Sequence, residues 1–165
     1  MRNEVLSALA RCRVAEATML ELGIGSCGSI IDSLLKDKFI KKKVMNYKAQ
    51  DVNIYMLTDK GEGYIKNQMS EIKELYRGFV LEQDLALADF YFRRSKSERQ
   101  TWITRDDFIK KYKLPGTVDG AFITEKGELQ AVKVLSQNSG YEALKKVEDF
   151  LEQTEIPFIH YIVYS

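Results

Sequence analysis

Ile24-Gly25-Ser26-Cys27-Gly28-Ser29-Ile30-Ile31-Asp32-Ser33-Leu34-Leu35-Lys36 opens the stretch on which the fold turns, and Phe39-Ile40-Lys41-Lys42-Lys43 and Val52-Asn53-Ile54-Tyr55-Met56-Leu57 continue it. Ile30, Ile31, Leu34 and Leu35 recur at helical spacing, whereas Ser29, Asp32, Ser33 and Lys36 fall on the opposite side. Ser26 is the expected cap, because its hydroxyl can accept from an otherwise unpaired amide of the first turn. Phe39 to Tyr47 is strand-like, Lys48 to Asp51 supplies a polar turn, and Val52, Ile54, Tyr55 and Leu57 read as the returning strand.

Working outward, Val5, Leu6 and Leu9 share one face of a first helix, and Val14 to Leu22 reads as a continuing helix ended by Gly23 and Gly25. Downstream, Thr58 or Asp59 caps a helix expected to pass through Tyr64, Ile65, Met69, Ile72 and Leu75 to near Gly78, forming a stiff connector. Helices, strand, turn, strand and helix in this order predict a winged helix-turn-helix, whose usual partner is a DNA duplex. By analogy, the helix after the wing is where such proteins build a homodimer.

The second half differs in texture. Leu81 to Phe92 is helical, Arg93 to Ser97 reads as a basic loop, and Trp102-Ile103 starts a short strand. Asp106 to Lys113 follows as a helix and Leu114-Pro115-Gly116 as a turn. Val118 to Ile123 and Leu129 to Leu135 form a hairpin about Glu125-Lys126-Gly127-Glu128. Tyr141 to Gln153 is amphipathic, and Phe158 to Tyr164 is a near-continuous apolar strand of the kind buried on both faces. The expected class is α+β, with a winged helix-turn-helix and connector over residues 1–77 and a small α/β sandwich over 78–165.

The 165 residues carry a formal net charge of +1, unevenly spread. Residues 1–66 hold 11 Lys and Arg against 8 Asp and Glu, and between Lys36 and Lys48 there are 6 lysines against Asp37 alone. Such a cluster can release counterions from phosphates; an isolated lysine run is also a common solvated face. Cys12 and Cys27 lack C-x-x-C spacing and read as small buried residues. With His160 the single histidine, zinc sites and histidine-based triads are not expected, and neither is a cofactor. No apolar run approaches the roughly 20 residues that span a bilayer, and the N-terminus lacks the apolar core of a signal peptide, so a cytoplasmic protein without membrane contact is expected.

Asp119 and Lys133 lie on partner strands of the second hairpin, at the spacing of nucleases in which clustered carboxylates hold a divalent metal and a lysine helps activate water. Two residues before Lys133, however, stands Ala131, and one carboxylate beside an ammonium is a poor magnesium site. Glu125 and Glu128 belong to the turn. Tyr91, Phe92, Trp102, Phe108 and Tyr112 have the makings of a base-stacking platform, but their spacing favours a core.

Glu82 to Asp89, Trp102-Ile103-Thr104, Val118-Asp119-Gly120-Ala121-Phe122 and Ala131-Val132-Lys133-Val134 together resemble the replication-relaxation proteins of plasmids and integrative elements. That resemblance extends over the whole chain. It implies an N-terminal winged helix, a nuclease-like second half, and a role in plasmid replication, mobilisation or DNA relaxation. Where that pattern commonly has acids, after Trp-x-Thr and after Ala-Val, this chain has Arg105 and Lys133. The reversal removes a metal site; the two cations either line a groove for phosphates or pair with Asp106, Asp107 or Asp119.

The expectation is a non-enzymatic binder of double-stranded DNA at a mobile-element origin or its own promoter. Ser29, Ser33 and Lys36 would read the major groove, Lys41, Lys42, Lys43 and Lys48 would contact phosphate or minor groove, and Ser26 and Lys38 complete the expected DNA-binding set. Arg105 and Lys133 would be a second nucleic-acid contact, and a relaxase or replication protein a partner of the second half. The alternatives are a metal-dependent nuclease or nicking enzyme using Asp119 and Lys133, and a protein-interaction module without DNA contact.

Overall fold

The computed structural model describes residues 1–47, 49–78, 80–113, 118–154 and 156–165, leaving the side chain of Tyr112 aside. Lys48 and the turn expected at Leu114-Pro115-Gly116 lie outside these residues. The fold is mixed α+β with two sheets.

In the first half, α1 (Arg2–Cys12) leads into β1 (Val14–Glu16), then α2 (Ala17–Ile24), α3 (Gly28–Lys36), β2 (Ile40–Tyr47), β3 (Gln50–Leu57) and α4 (Asp59–Gln68). The strands form an antiparallel sheet in the order β1-β3-β2. β1 corrects the expected continuous helix over Val14 to Leu22: Val14, Ala15 and Glu16 pair with Met56, Tyr55 and Ile54, and three residues of edge pairing override helical propensity. Ser26 does not cap α3. The cap position is Cys27 and no side chain bonds there, because helical geometry starts only at Gly28.

α4 is capped by Thr58, whose Oγ1 accepts from the Gly61 amide at 3.2 Å, but the helix stops at Gln68 rather than near Gly78. Met69, Ile72, Leu75 and Tyr76 are buried all the same. They reach the core from an irregular segment fastened by the Tyr76 amide to the Ala10 carbonyl at 2.9 Å, so apolar spacing mimics a helix that the chain leaves early.

In the second half, α5 (Leu81–Phe92) is followed by α6 (Lys96–Gln100), β4 (Ile103–Thr104), α7 (Arg105–Tyr112), β5 (Gly120–Ile123), β6 (Leu129–Ser136), α8 (Tyr141–Thr154) and β7 (Phe158–Tyr164). The basic stretch after α5 is partly helical. Ser95 Oγ accepts from the Glu98 amide and Glu98 returns a bond to the Ser95 amide, a reciprocal cap that starts α6. The sheet runs β4-β5-β6-β7, antiparallel except for β7, which lies parallel to β6 after the α8 crossover. β7 is an edge strand. Phe158, Tyr161 and Val163 are 54%, 44% and 61% exposed, against the expected burial on both faces; Tyr161 and Val163 share the face of Ile159, where α8 packs only at the Ile159 end.

Among the described residues three apolar clusters hold the sheets, one of them Val14, Ile54 and Leu85. The largest cluster joins Val5, Leu6 and Leu9 of α1, Ile31 and Leu34 of α3, and Ile40 and Leu57 of the hairpin to Leu87, Tyr91 and Phe92 of α5 and to Trp102, Phe122 and Val132. It therefore crosses the boundary expected after residue 77. A smaller one sets Ala121 and Ala131 against Phe108 and Phe150 on the other face of the second sheet. The aromatics Tyr91, Phe92, Trp102 and Phe108 are core residues. Among the described residues no helix is long and apolar enough to cross a membrane.

Candidate nucleic-acid face and buried polar cluster

α3 turns Ile31 and Leu34 inward and leaves Ser29, Asp32, Ser33 and Lys36 exposed on one face. The chain then reverses through Lys38, whose φ of 58° is a conformation that costs a residue with a Cβ. Its carbonyl accepts from Thr58 Oγ1 at 2.6 Å, and the Phe39 carbonyl accepts from the Thr58 amide at 3.0 Å. The Phe39 ring lies 4.7 Å below the Arg2 guanidinium and 4.4 Å below Lys60 Nζ, while Arg2 pairs with Asp37 at 3.1 Å. These contacts fix the end of α3 against the base of the hairpin.

Lys36, Lys38, Lys41, Lys42 and Lys43 are exposed, and none forms an ion pair among the described residues. Ser26 is exposed in the loop before α3. The three consecutive lysines do not form one patch. Lys42 stands opposite Tyr55 and shares the face of Ile40 and Leu57, which packs on the helices; Lys41 and Lys43 stand opposite Met56 and Ile54, on the face that meets Val14 and Leu85. Lys42 is thus the hairpin lysine on the side of α3. Asp32 sits among the α3 residues and lowers the positive potential there.

In the second half, Asp119 is 1% exposed and lies just before β5, across from Lys133. Lys133 Nζ is 3.3 Å from Asp119 Oδ2, the Val134 amide donates to that oxygen at 2.8 Å, and Gln83 Nε2 donates to Oδ1 at 2.9 Å. The Asp119 amide in turn donates to the Val132 carbonyl at 2.8 Å, so the side chain extends the β5–β6 ladder. Both carboxylate oxygens are already engaged. Ala131 is fully buried, and among the described residues no three acidic, histidine or cysteine side chains gather as a metal site.

Arg105 opens α7, donates to the Arg77 carbonyl, lies 3.8 Å from Asp106 and sits over the Tyr76 ring at 5.2 Å. It and Lys133 therefore belong to a polar seam between the halves, and not to an exposed basic groove. The seam continues into Asp84, which is fully buried on α5 and lies 2.5 Å from Arg13 Nη1. Tyr76 Oη and Asp84 Oδ1 have no hydrogen-bond partner among the described residues, although the two groups are close enough to influence each other's ionisation. Burial, with the charges of Asp119 and Asp84 behind it, pushes the Tyr76 phenol well up.

Sequence spacing located the α3 face and the Asp119–Lys133 pair. It missed Arg13, Asp84 and the buried Arg11, since nothing in the pattern of α1 marks which of its arginines turns inward. No protein-family model matches the chain, and neither a curated protein nor a solved structure matches it.

Proposed function

We propose that the chain is a non-enzymatic, double-stranded DNA-binding protein whose first half is a winged helix. The observation that carries this reading is the order α1-β1-α2-α3-β2-β3 with sheet order β1-β3-β2, presenting exposed Ser29, Ser33 and Lys36 beside Lys42. An α3 of this length fits a major groove, where serine hydroxyls and lysine reach base edges, while Lys42, on the same side of the hairpin, meets phosphate. In this reading the setting is a mobile element, where the protein serves replication, mobilisation or control of its own promoter, as the resemblance to replication-relaxation proteins implies.

The second half acts as a scaffold, by pairing copies of the chain or by recruiting a relaxase or replication protein. Its meander β4-β5-β6 with parallel β7 supports the nuclease-like comparison. The engaged oxygens of Asp119 and the methyl group of Ala131 support a scaffold over a catalyst.

Duplexes selected from a random pool, followed by anisotropy titrations across salt concentrations, test the reading. Affinity is expected to fall linearly in log–log form with salt, by about 0.9 per phosphate neutralised. Salt-independent binding, or no selection of any duplex, would overturn it. Supercoiled plasmid incubated with the protein and Mg²⁺ or Mn²⁺ is expected to stay intact.

A further inference from the structure

Arg11 is 6% exposed, yet it meets no carboxylate within 4.0 Å among the described residues. Its Nη1 donates to Ser7 Oγ at 2.8 Å and its Nη2 to the Gln100 carbonyl at 3.3 Å, and the Tyr91 hydroxyl lies beside it, so the groups around it are neutral. An inward guanidinium offers five N–H groups, and burying its charge without an anion is costly unless something compensates. Arg11 lines an open cleft of about 290 Å³ between α1, the end of α4 and α6. That volume is at the lower edge of small-molecule sites, which run from about 300 to 1,000 Å³.

The cleft has a polar end and an apolar end. Ile24, Met69 and Tyr91 supply the apolar part; burial pushes the Tyr91 phenol up to about 12, so it is a neutral hydroxyl at physiological pH. Of the other cations lining the cleft, Lys96 is taken by Glu4 at 2.6 Å, and Arg99 is spent on the carbonyls of Gly23, Phe92 and Arg94. Glu4 and Glu71 also line it. Two carboxylates nearby disfavour a dianion, and Arg11 is the cation left for a monoanion.

We infer that this cleft is a binding site for a small amphipathic monocarboxylate, its carboxylate on Arg11 and its apolar body against Tyr91, Met69 and Ile24. A planar carboxylate matches the guanidinium fork, and the occupant would touch α1 in the first half together with Tyr91 of α5 and α6 in the second. The inference goes beyond the duplex-binding proposal and does not depend on it.

Isothermal titration of the full chain with benzoate, benzamide and phenyl phosphate tests it. Saturable benzoate binding is expected, with benzamide weaker by about tenfold or more and phenyl phosphate no tighter than benzoate. Arg11→Gln weakens benzoate binding by about tenfold or more. Because a buried arginine also supports packing, Gln68→Trp is the second variant: Gln68 is exposed and lines the cleft, so a bulky ring there fills it while the Arg11 guanidinium keeps its two acceptors, and circular dichroism verifies the fold. It too is expected to lose benzoate. Absence of saturable benzoate binding to the wild-type chain overturns the inference, as does equal binding of benzamide, preference for phenyl phosphate, or full benzoate affinity in a folded Arg11→Gln chain. No DNA enters the measurement, so its failure leaves the duplex-binding proposal standing.

Discussion

Arg13 Nη1 lies 2.5 Å from Asp84 Oδ2, tying the turn after α1 to α5 across 71 positions of sequence. Asp84 is fully buried, whereas the Arg13 side chain is 35% exposed, so the two partners are not equivalent. Arg13 also holds a φ of 69°, a strained conformation for a residue with a Cβ, which the ion pair helps to keep.

Arg13→Ala strands a buried carboxylate and is expected to cost about 3 kcal/mol in urea unfolding at pH 7. Asp84→Asn costs less, because the arginine it releases can reach water. Burial raises the Asp84 carboxyl above its ordinary range, and Arg13 opposes that rise. A raised folded-state value means that stabilisation by this group is fully present below the unfolded value and lost as pH climbs through the folded one. Without Arg13 the rise is larger, so the Arg13→Ala deficit should shrink between pH 7 and pH values near the ordinary carboxylate range, about 4. A deficit that is flat across that range would count against this account.

Lysines on the two hairpin faces should separate in binding assays. Lys42→Glu, on the side of α3, is expected to weaken selected duplexes more than Lys41→Glu or Lys43→Glu, and combined Lys36→Ala and Lys42→Ala to reduce the salt slope by about 2. Equal effects from all three hairpin lysines would mean that the whole ribbon, not one face, meets the phosphates.

Two glycines in α4, two residues apart, should behave oppositely. A Cβ on Gly61 would stand 2.1 Å from the Phe39 carbonyl oxygen, while one on Gly63 meets nothing within 4 Å. Gly61→Ala is therefore expected to destabilise by about 2 kcal/mol or more, and Gly63→Ala to stabilise by about 0.5–1 kcal/mol through helix propensity. Thermal melts of both variants decide the matter.

His160 Nε2 lies 2.7 Å from Gln130 Oε1, and its ring packs against Phe90 at 5.2 Å between centroids. Burial, with Arg94 adding to it, lowers the tendency of His160 to take a proton. A depressed folded-state value makes the contribution to stability present above the unfolded value, about 6.5, and lost as pH falls through the folded one. Denaturation midpoints are expected to drop on acidification below that point, and His160→Gln to flatten this part of the curve. An imidazole titration midpoint above the free value would contradict it.

What was legible beforehand followed from long periodic segments. α3 has a buried pair, Ile31 and Leu34, opposite four exposed residues, and its helical period is plain in sequence. β1 was invisible because its three residues are strand only by virtue of β3, a partner about 40 positions away. The end of α4 was misplaced because Met69, Ile72 and Leu75 are apolar at helical intervals, whether or not the backbone between them is a helix. Of the candidate site residues, Asp119 and Lys133 were brought together by spacing, and the ion pair between them is present. That the carboxylate was already occupied depended on Gln83, which no local pattern joins to it.

α5 presses Leu87, Ala88, Tyr91 and Phe92 into the same core as α1, α3 and the hairpin. The first half is consequently not a portable unit: excised after α4, it would lose one wall of its interior and expose the underside of its own helices. A chimera that transplants this surface onto another protein must carry the chain through Phe92, and natural recombination at the apparent joint would meet the same barrier.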